Sequence, residues 1–139
     1  MNAGLKRWLL SYALAAAVFA AIDVVWILTV AQRQYESQIG HLLASSPHPV
    51  GAVLFYLVFV AGIVHYGVRP GKADITLRRR ILGGALFGFF TYSTWALTAL
   101  AILKDFPALV AVTDILWGVG VCAVVTWLTA LVGTVRGRV

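Results

Sequence analysis

Apolar and polar positions alternate on the scale of whole segments along this chain, with no strand-like or surface-helix period. Four apolar runs, Trp8–Ala31, Val50–Val68, Ile81–Leu103 and Phe106–Val132, are separated by short polar stretches. Each is near or above the roughly 20 residues needed to cross a bilayer. Lipid offers exposed backbone groups no partners, so runs of this kind are expected to be helices. The pattern predicts an all-α, four-helix transmembrane bundle forming a single integral membrane domain over residues 1–139. The first run is too long for a secretory h-region of about 7–15 residues, so it is expected to persist as the first helix.

The connections differ in length and charge. Gln32–Pro49 is the one long loop, with an Ile39/Leu42/Leu43 cluster suited to a short interfacial helix. Pro47-His48-Pro49 predicts an extended entry into the second helix. Lys104-Asp105-Phe106 is tight, making the last two helices antiparallel neighbours with Pro107 in the first turn of the fourth. Lys6, Arg7, Arg69, Lys72, Arg78, Arg79, Arg80, Arg136 and Arg138 fall on one side of this topology, against Arg33 and Lys104 on the other. The positive-inside rule therefore places both termini in the cytoplasm and the long loop outside. Arg78-Arg79-Arg80 is expected to act as a topology anchor before any role with anionic headgroups.

Composition narrows the class. Of 139 residues 61% are hydrophobic and 12% charged, against roughly 25% charged in a soluble domain. The net charge of +6 is accounted for by topology, so nucleic acid is not an expected partner, whereas membrane lipids are. Cys122 is the single cysteine, which excludes a disulfide framework. His41, His48 and Glu36 have no metal-site spacing, so no metal or other cofactor is expected. No nucleophile elbow, P-loop, dinucleotide fingerprint or zinc-protease helix is present.

Two carboxylates stand out. Asp23 lies in the first apolar run and Asp114 in the fourth, each followed three residues later by a tryptophan, Trp26 and Trp117. An ionisable group at membrane depth costs upward of about 2.5 kcal/mol and calls for a reason. Counting from Ala31 and from Pro107 at ~1.5 Å per residue puts both about 11–12 Å below the outer boundary, at one level. In the third helix Gly84, Gly88, Thr91, Trp95 and Thr98 follow a 4-3-4-3 spacing, with Thr94 nearby, and Gly84–Gly88 form a GxxxG. In the fourth, Asp114, Gly118, Cys122 and Thr126 repeat every four residues. The expected ligand-binding set is thus Asp23, Trp26, Tyr56, Thr94, Trp95, Thr98, Asp114 and Trp117. A purely structural role, with each carboxylate tying helices together through a hydroxyl or indole N–H, competes with it. Two like charges close together would share a proton or a cation, as proton relays and small-cation sites do.

The segments Asp23-Val24-Val25-Trp26, Gly40-His41-Leu42-Leu43, Phe55-Tyr56, Gly84-Ala85-Leu86-Phe87-Gly88 and Thr113-Asp114-Ile115-Leu116-Trp117-Gly118 together resemble a family of small bacterial integral membrane proteins. It is known as a domain of unknown function, number two-one-seven-seven. The resemblance implies four membrane helices in the bacterial inner membrane and supplies no activity. Such proteins tend to carry Thr-Tyr-Asp-Leu-Thr-Asn in the third helix. Here the stretch is Thr94-Trp95-Ala96-Leu97-Thr98-Ala99, without the Asp and Asn.

The leading expectation is a pocket that binds or transports a small cation, a proton or a polar lipid-like ligand. Alternatives are a membrane enzyme acting on a lipid or isoprenoid with the aspartates as acid and base, and a non-catalytic assembly partner. Four helices enclose little volume, which leaves room for a homo-oligomer, with the GxxxG as a candidate contact.

Overall fold

The computed structural model describes residues 2–135; Arg136 and Arg138 lie outside the described residues. The chain forms four helices long and apolar enough to cross a membrane: α1 (Ala3–Leu42), α2 (Pro49–Val68), α3 (Leu77–Ile102) and α4 (Ala108–Val135). Four crossings bring the start of α1 and the end of α4 to one end of the bundle, the terminal end. The α1–α2 connection lies at the other, the loop-1 end.

Local chemistry sets the boundaries. The Asn2 side chain accepts from the Gly4 and Leu5 N–H groups at 2.7 and 3.3 Å, starting α1 at Ala3. His48 Nδ1 accepts from the Gly51 N–H at 3.3 Å, with Pro49 opening α2. Thr76 Oγ1 caps α3 through the Arg79 N–H at 3.4 Å. Pro107 stands one place ahead of α4, outside its first turn, with its carbonyl accepting from the Ala111 N–H at 3.3 Å.

The helix predicted to stop at Ala31 does not stop. After an α-helical stretch to Trp26, α1 passes through a π-type turn at Ile27–Ala31, resumes as α-helix at Gln32–Ile39 and ends in a 3₁₀ turn at Gly40–Leu42. The polar residues after Ala31 ended the apolar run without ending the helix, because tertiary contacts hold the extension. Ile39 packs with Ala96, Ala99, Phe106, Val110 and Ala111 of the α3–α4 corner, and Gln34 Nε2 donates to Thr113 Oγ1 at 3.1 Å. The separate interfacial helix expected around Ile39, Leu42 and Leu43 is therefore absent.

Helix α4 is the centre of the bundle. Its Asp114, Gly118, Cys122 and Thr126 are all buried, facing α1, α3 and the end of α2. The approach of α3 is close enough that a Cβ on Gly88 would strike the Gly118 carbonyl, and one on Gly84 would meet the Cys122 carbonyl at 2.8 Å. The GxxxG is consumed inside the protomer, so it is not the homo-oligomer contact proposed for it. Lipid supplies little hydrophobic drive between helices, and backbone approach of this kind is what holds membrane helices together.

Helix α2 makes its closest backbone approach to α3 through its last turn and a half, a π-type stretch at Ile63–Val68. Just before it Gly62 lies against the Phe87 ring, and within it Gly67 lies against Thr126. Toward the loop-1 end α2 leaves α3 and leans on α1, where Phe19 meets Tyr56 and Phe59 at ring-centroid distances of 5.3 Å. The divergence of α2 from α3 opens a space beside α4.

Arg80 is buried at 5% exposure. Its guanidinium donates to the Val68, Arg69, Lys72 and Ile75 carbonyls, gathering the free end of α2 and the following turn onto α3. This arginine is a structural staple; Arg78 and Arg79 remain exposed.

Candidate functional site

Asp23 completes a strict i, i+4 spine on α1 with Ser11, Ala15 and Phe19, all buried. It is 6% exposed, and Tyr56 of α2 donates its phenol to Asp23 Oδ2. The Trp117 indole lies against the same carboxylate, although its N–H does not reach hydrogen-bonding geometry. Asp114 is 5% exposed and accepts from the Tyr35 phenol at 2.5 Å, with the Trp95 indole alongside. Among the described residues neither carboxylate has a Lys, Arg or His partner, and neither is hydrogen-bonded to the other.

The two acids have separate partners, Tyr56 for Asp23 and Tyr35 for Asp114. Trp26 and Trp117, each three residues after its aspartate on antiparallel helices, stack at 4.2 Å with planes 7° apart. Tyr92 of α3 links the two groups: its ring lies over Gly118, where a Cβ would collide with it, within electrostatic reach of both carboxylates.

The π-type turn explains how Tyr35 arrives. At the ~100° per residue of an α-helix Tyr35 would point about 120° away from the Asp23 face; residues with i→i+5 bonding turn less and bring it back toward α4.

The space between α2 and α3 is a cavity of about 510 Å³. Phe55 and Phe59 wall it on α2, and Thr91, Tyr92 and Trp95 on α3; Asp114 and Tyr35 complete it. Of the expected set, Asp114 and Trp95 line the cavity, with Trp95 53% exposed at its mouth. Asp23, Tyr56, Trp26 and Trp117 are not among its lining residues. Thr94 and Thr98 are exposed, and the Thr94 hydroxyl back-bonds to the Phe90 carbonyl at 2.7 Å. The 4-3-4-3 spacing drifted off the seam: beyond Gly88 the buried face runs through Ser93, Ala96 and Ala99, because small residues every three or four positions admit α4.

Tyr35, Phe55, Phe59, Thr91 and Tyr92 were not in the expected set. Tyr92 was within reach of sequence reasoning, four residues beyond Gly88 on the same face. Tyr35 was hidden by the assumption that polar residues end a helix.

A four-helix membrane protein with a buried carboxylate in an aromatic cavity is the class that fold and site define. The chain belongs to the family described as Predicted membrane protein (DUF2177), whose model matches residues 8–131. It is also similar to proteins named fluoride-specific ion channel FluC. The one from Citrifermentans bemidjiense is 32% identical over 72% of this chain and 83% of its own length. That of Trichlorobacter lovleyi is 33% identical over 69% and 79%. No solved structure matches.

Proposed function

We propose that this protein binds, and carries across the membrane, a small cation, and that the cavity between α2 and α3 is its site. The observation that carries the reading is Asp114: a carboxylate without a basic partner among the described residues, lining a cavity otherwise walled mainly by rings. Such a space suits an organic ammonium ion. Ring faces attract a desolvated cation by about 0.5–2 kcal/mol each, and the carboxylate neutralises it. A bare metal ion needs several oxygen or nitrogen ligands, and the described residues hold no group of three His, Cys, Asp or Glu side chains.

Likeness to fluoride-specific channels supports a small-ion protein; the sign of the charge is argued from this chain's own residues. Two buried carboxylates without cationic partners repel an anion. The acid–base enzyme reading has less support, because it needs both carboxylates on one substrate and Asp23 does not line the cavity. The distribution of bases supports an orientation with both termini cytoplasmic, so that the cavity would lie in the outer half.

Calorimetric titration of the nanodisc-embedded protein with tetramethylammonium tests the assignment. Binding that weakens at least tenfold in Asp114→Asn and little in Asp105→Asn is the expected result. Equal affinity in Asp114→Asn would overturn it.

A further inference from the structure

We propose a second site at the terminal end of the bundle, which binds the phosphate of an anionic phospholipid. A cavity of about 340 Å³ lies there between the start of α1 and the turn after α2. Its walls are of two kinds. Val64, Pro70 and Ile75 are apolar, while Arg69, Lys72 and His65 bring basic groups, and the Trp8 indole closes the side toward α1. Arg7 reaches the same turn, its guanidinium 3.9 Å from where a Cβ on Gly71 would stand.

The turn is built to present these cations. Arg80 takes up the carbonyls of Val68, Arg69, Lys72 and Ile75, so the peptide oxygens face inward onto one guanidinium. Arg69 is held in the left-handed region at φ 48°, and its Nε donates to the Tyr66 carbonyl at 2.7 Å. The Lys72 side chain makes no hydrogen bond or ion pair among the described residues. The one acid in the turn, Asp74, is exposed and lies within electrostatic reach of Arg80. Lys72 and, beside Gly71, Arg7 thus bring cations to this turn with no ion-pairing carboxylate among the described residues, while the Arg69 guanidinium turns back onto the Tyr66 carbonyl.

A phosphate satisfies that arrangement, and the apolar walls select its source. A free phosphate ion would use only the basic rim, whereas a phospholipid also lays its glycerol and upper acyl carbons against Pro70 and Ile75. Trp8, stacked on Tyr12 at 5.4 Å, is an indole of the kind that sits at headgroup level.

Native mass spectrometry of the full-length protein, released from detergent with equal phosphatidylglycerol and phosphatidylcholine, tests this. The expected result is preferential retention of phosphatidylglycerol, weakened about threefold to tenfold in Lys72→Gln and again in Arg7→Gln. Arg78→Gln and Arg79→Gln, which remove the same charge from exposed positions outside the cavity, should leave retention unchanged. Thermal unfolding checks that each variant folds, and two independent cavity variants keep the result readable if one does not. The proposal fails if phosphatidylcholine is retained equally, or if the Arg78 and Arg79 variants lose as much as the cavity variants. It fails also if millimolar inorganic phosphate displaces the lipid, which would assign the site to the free ion.

Discussion

Tyr56→Phe isolates the contact that holds Asp23. The phenol donates to the carboxylate, and its ring packs on Phe19 at 5.3 Å and Phe55 at 5.3 Å; phenylalanine keeps the ring and deletes the donor alone. A hydrogen bond to a charged group contributes about 1.5–3 kcal/mol, against about 1 for a neutral pair. Among the described residues Asp23 has no basic partner to compensate, so the full loss is expected. For a chain of this size that corresponds to a Tm lower by roughly 6–12 °C. The assay is a double-mutant cycle by thermal unfolding in one detergent, combining Tyr56→Phe with Asp23→Asn. On the Asp23→Asn background the phenol faces a neutral amide and its removal should cost less than about 1 kcal/mol. A coupling of about 1–2 kcal/mol is expected. If Tyr56→Phe alone costs less than about 0.5 kcal/mol, or the two changes simply add, the phenol does not support a buried charge and the reasoning fails.

Gly88→Ala should be strongly destabilising, by about 3 kcal/mol or more, because the new methyl meets the Gly118 carbonyl and the Cys122 Cβ at 3.0 Å, neither free to move; unfolding and the loss of close α3–α4 cross-links check it. Tyr35→Phe removes the 2.5 Å donor from Asp114 and, like Tyr56→Phe, should cost about 1.5–3 kcal/mol in thermal unfolding. Thr129→Val should be neutral or stabilising by up to about 1 kcal/mol in thermal unfolding, since the Thr129 hydroxyl is buried without a partner among the described residues. Arg80→Met should make the 69–75 turn a site of rapid proteolysis, because the guanidinium that gathers the Val68, Arg69, Lys72 and Ile75 carbonyls is lost.

The helices were legible in the sequence because the bilayer constraint acts on every residue of a span at once, so length and apolarity suffice. The α4 stripe was legible for a related reason: Asp114, Gly118, Cys122 and Thr126, four residues apart, mark the buried face of that helix. Two features were not. The continuation of α1 to Leu42 rests on contacts from residues far along the chain, Thr113 and Phe106 among them, and no local signal announces them. The cavity arises from the divergence of α2 from α3, which depends on where Gly62 and Gly67 let backbones meet and where Phe55 and Phe59 keep them apart. A four-residue spacing locates such a seam for two turns, and then the 3.6-residue period carries it elsewhere, as happened between Thr91 and Thr98.

The charge carried through this protein tests the central claim most directly. Proteoliposomes adsorbed on a solid-supported membrane can be given concentration jumps of tetramethylammonium chloride or of sodium fluoride, with the resulting current recorded. Asp114 in its aromatic cavity predicts a positive current on the ammonium jump that Asp114→Asn abolishes, and none attributable to fluoride. A fluoride-evoked current that persists in Asp114→Asn, with silence toward the ammonium ion, would contradict it.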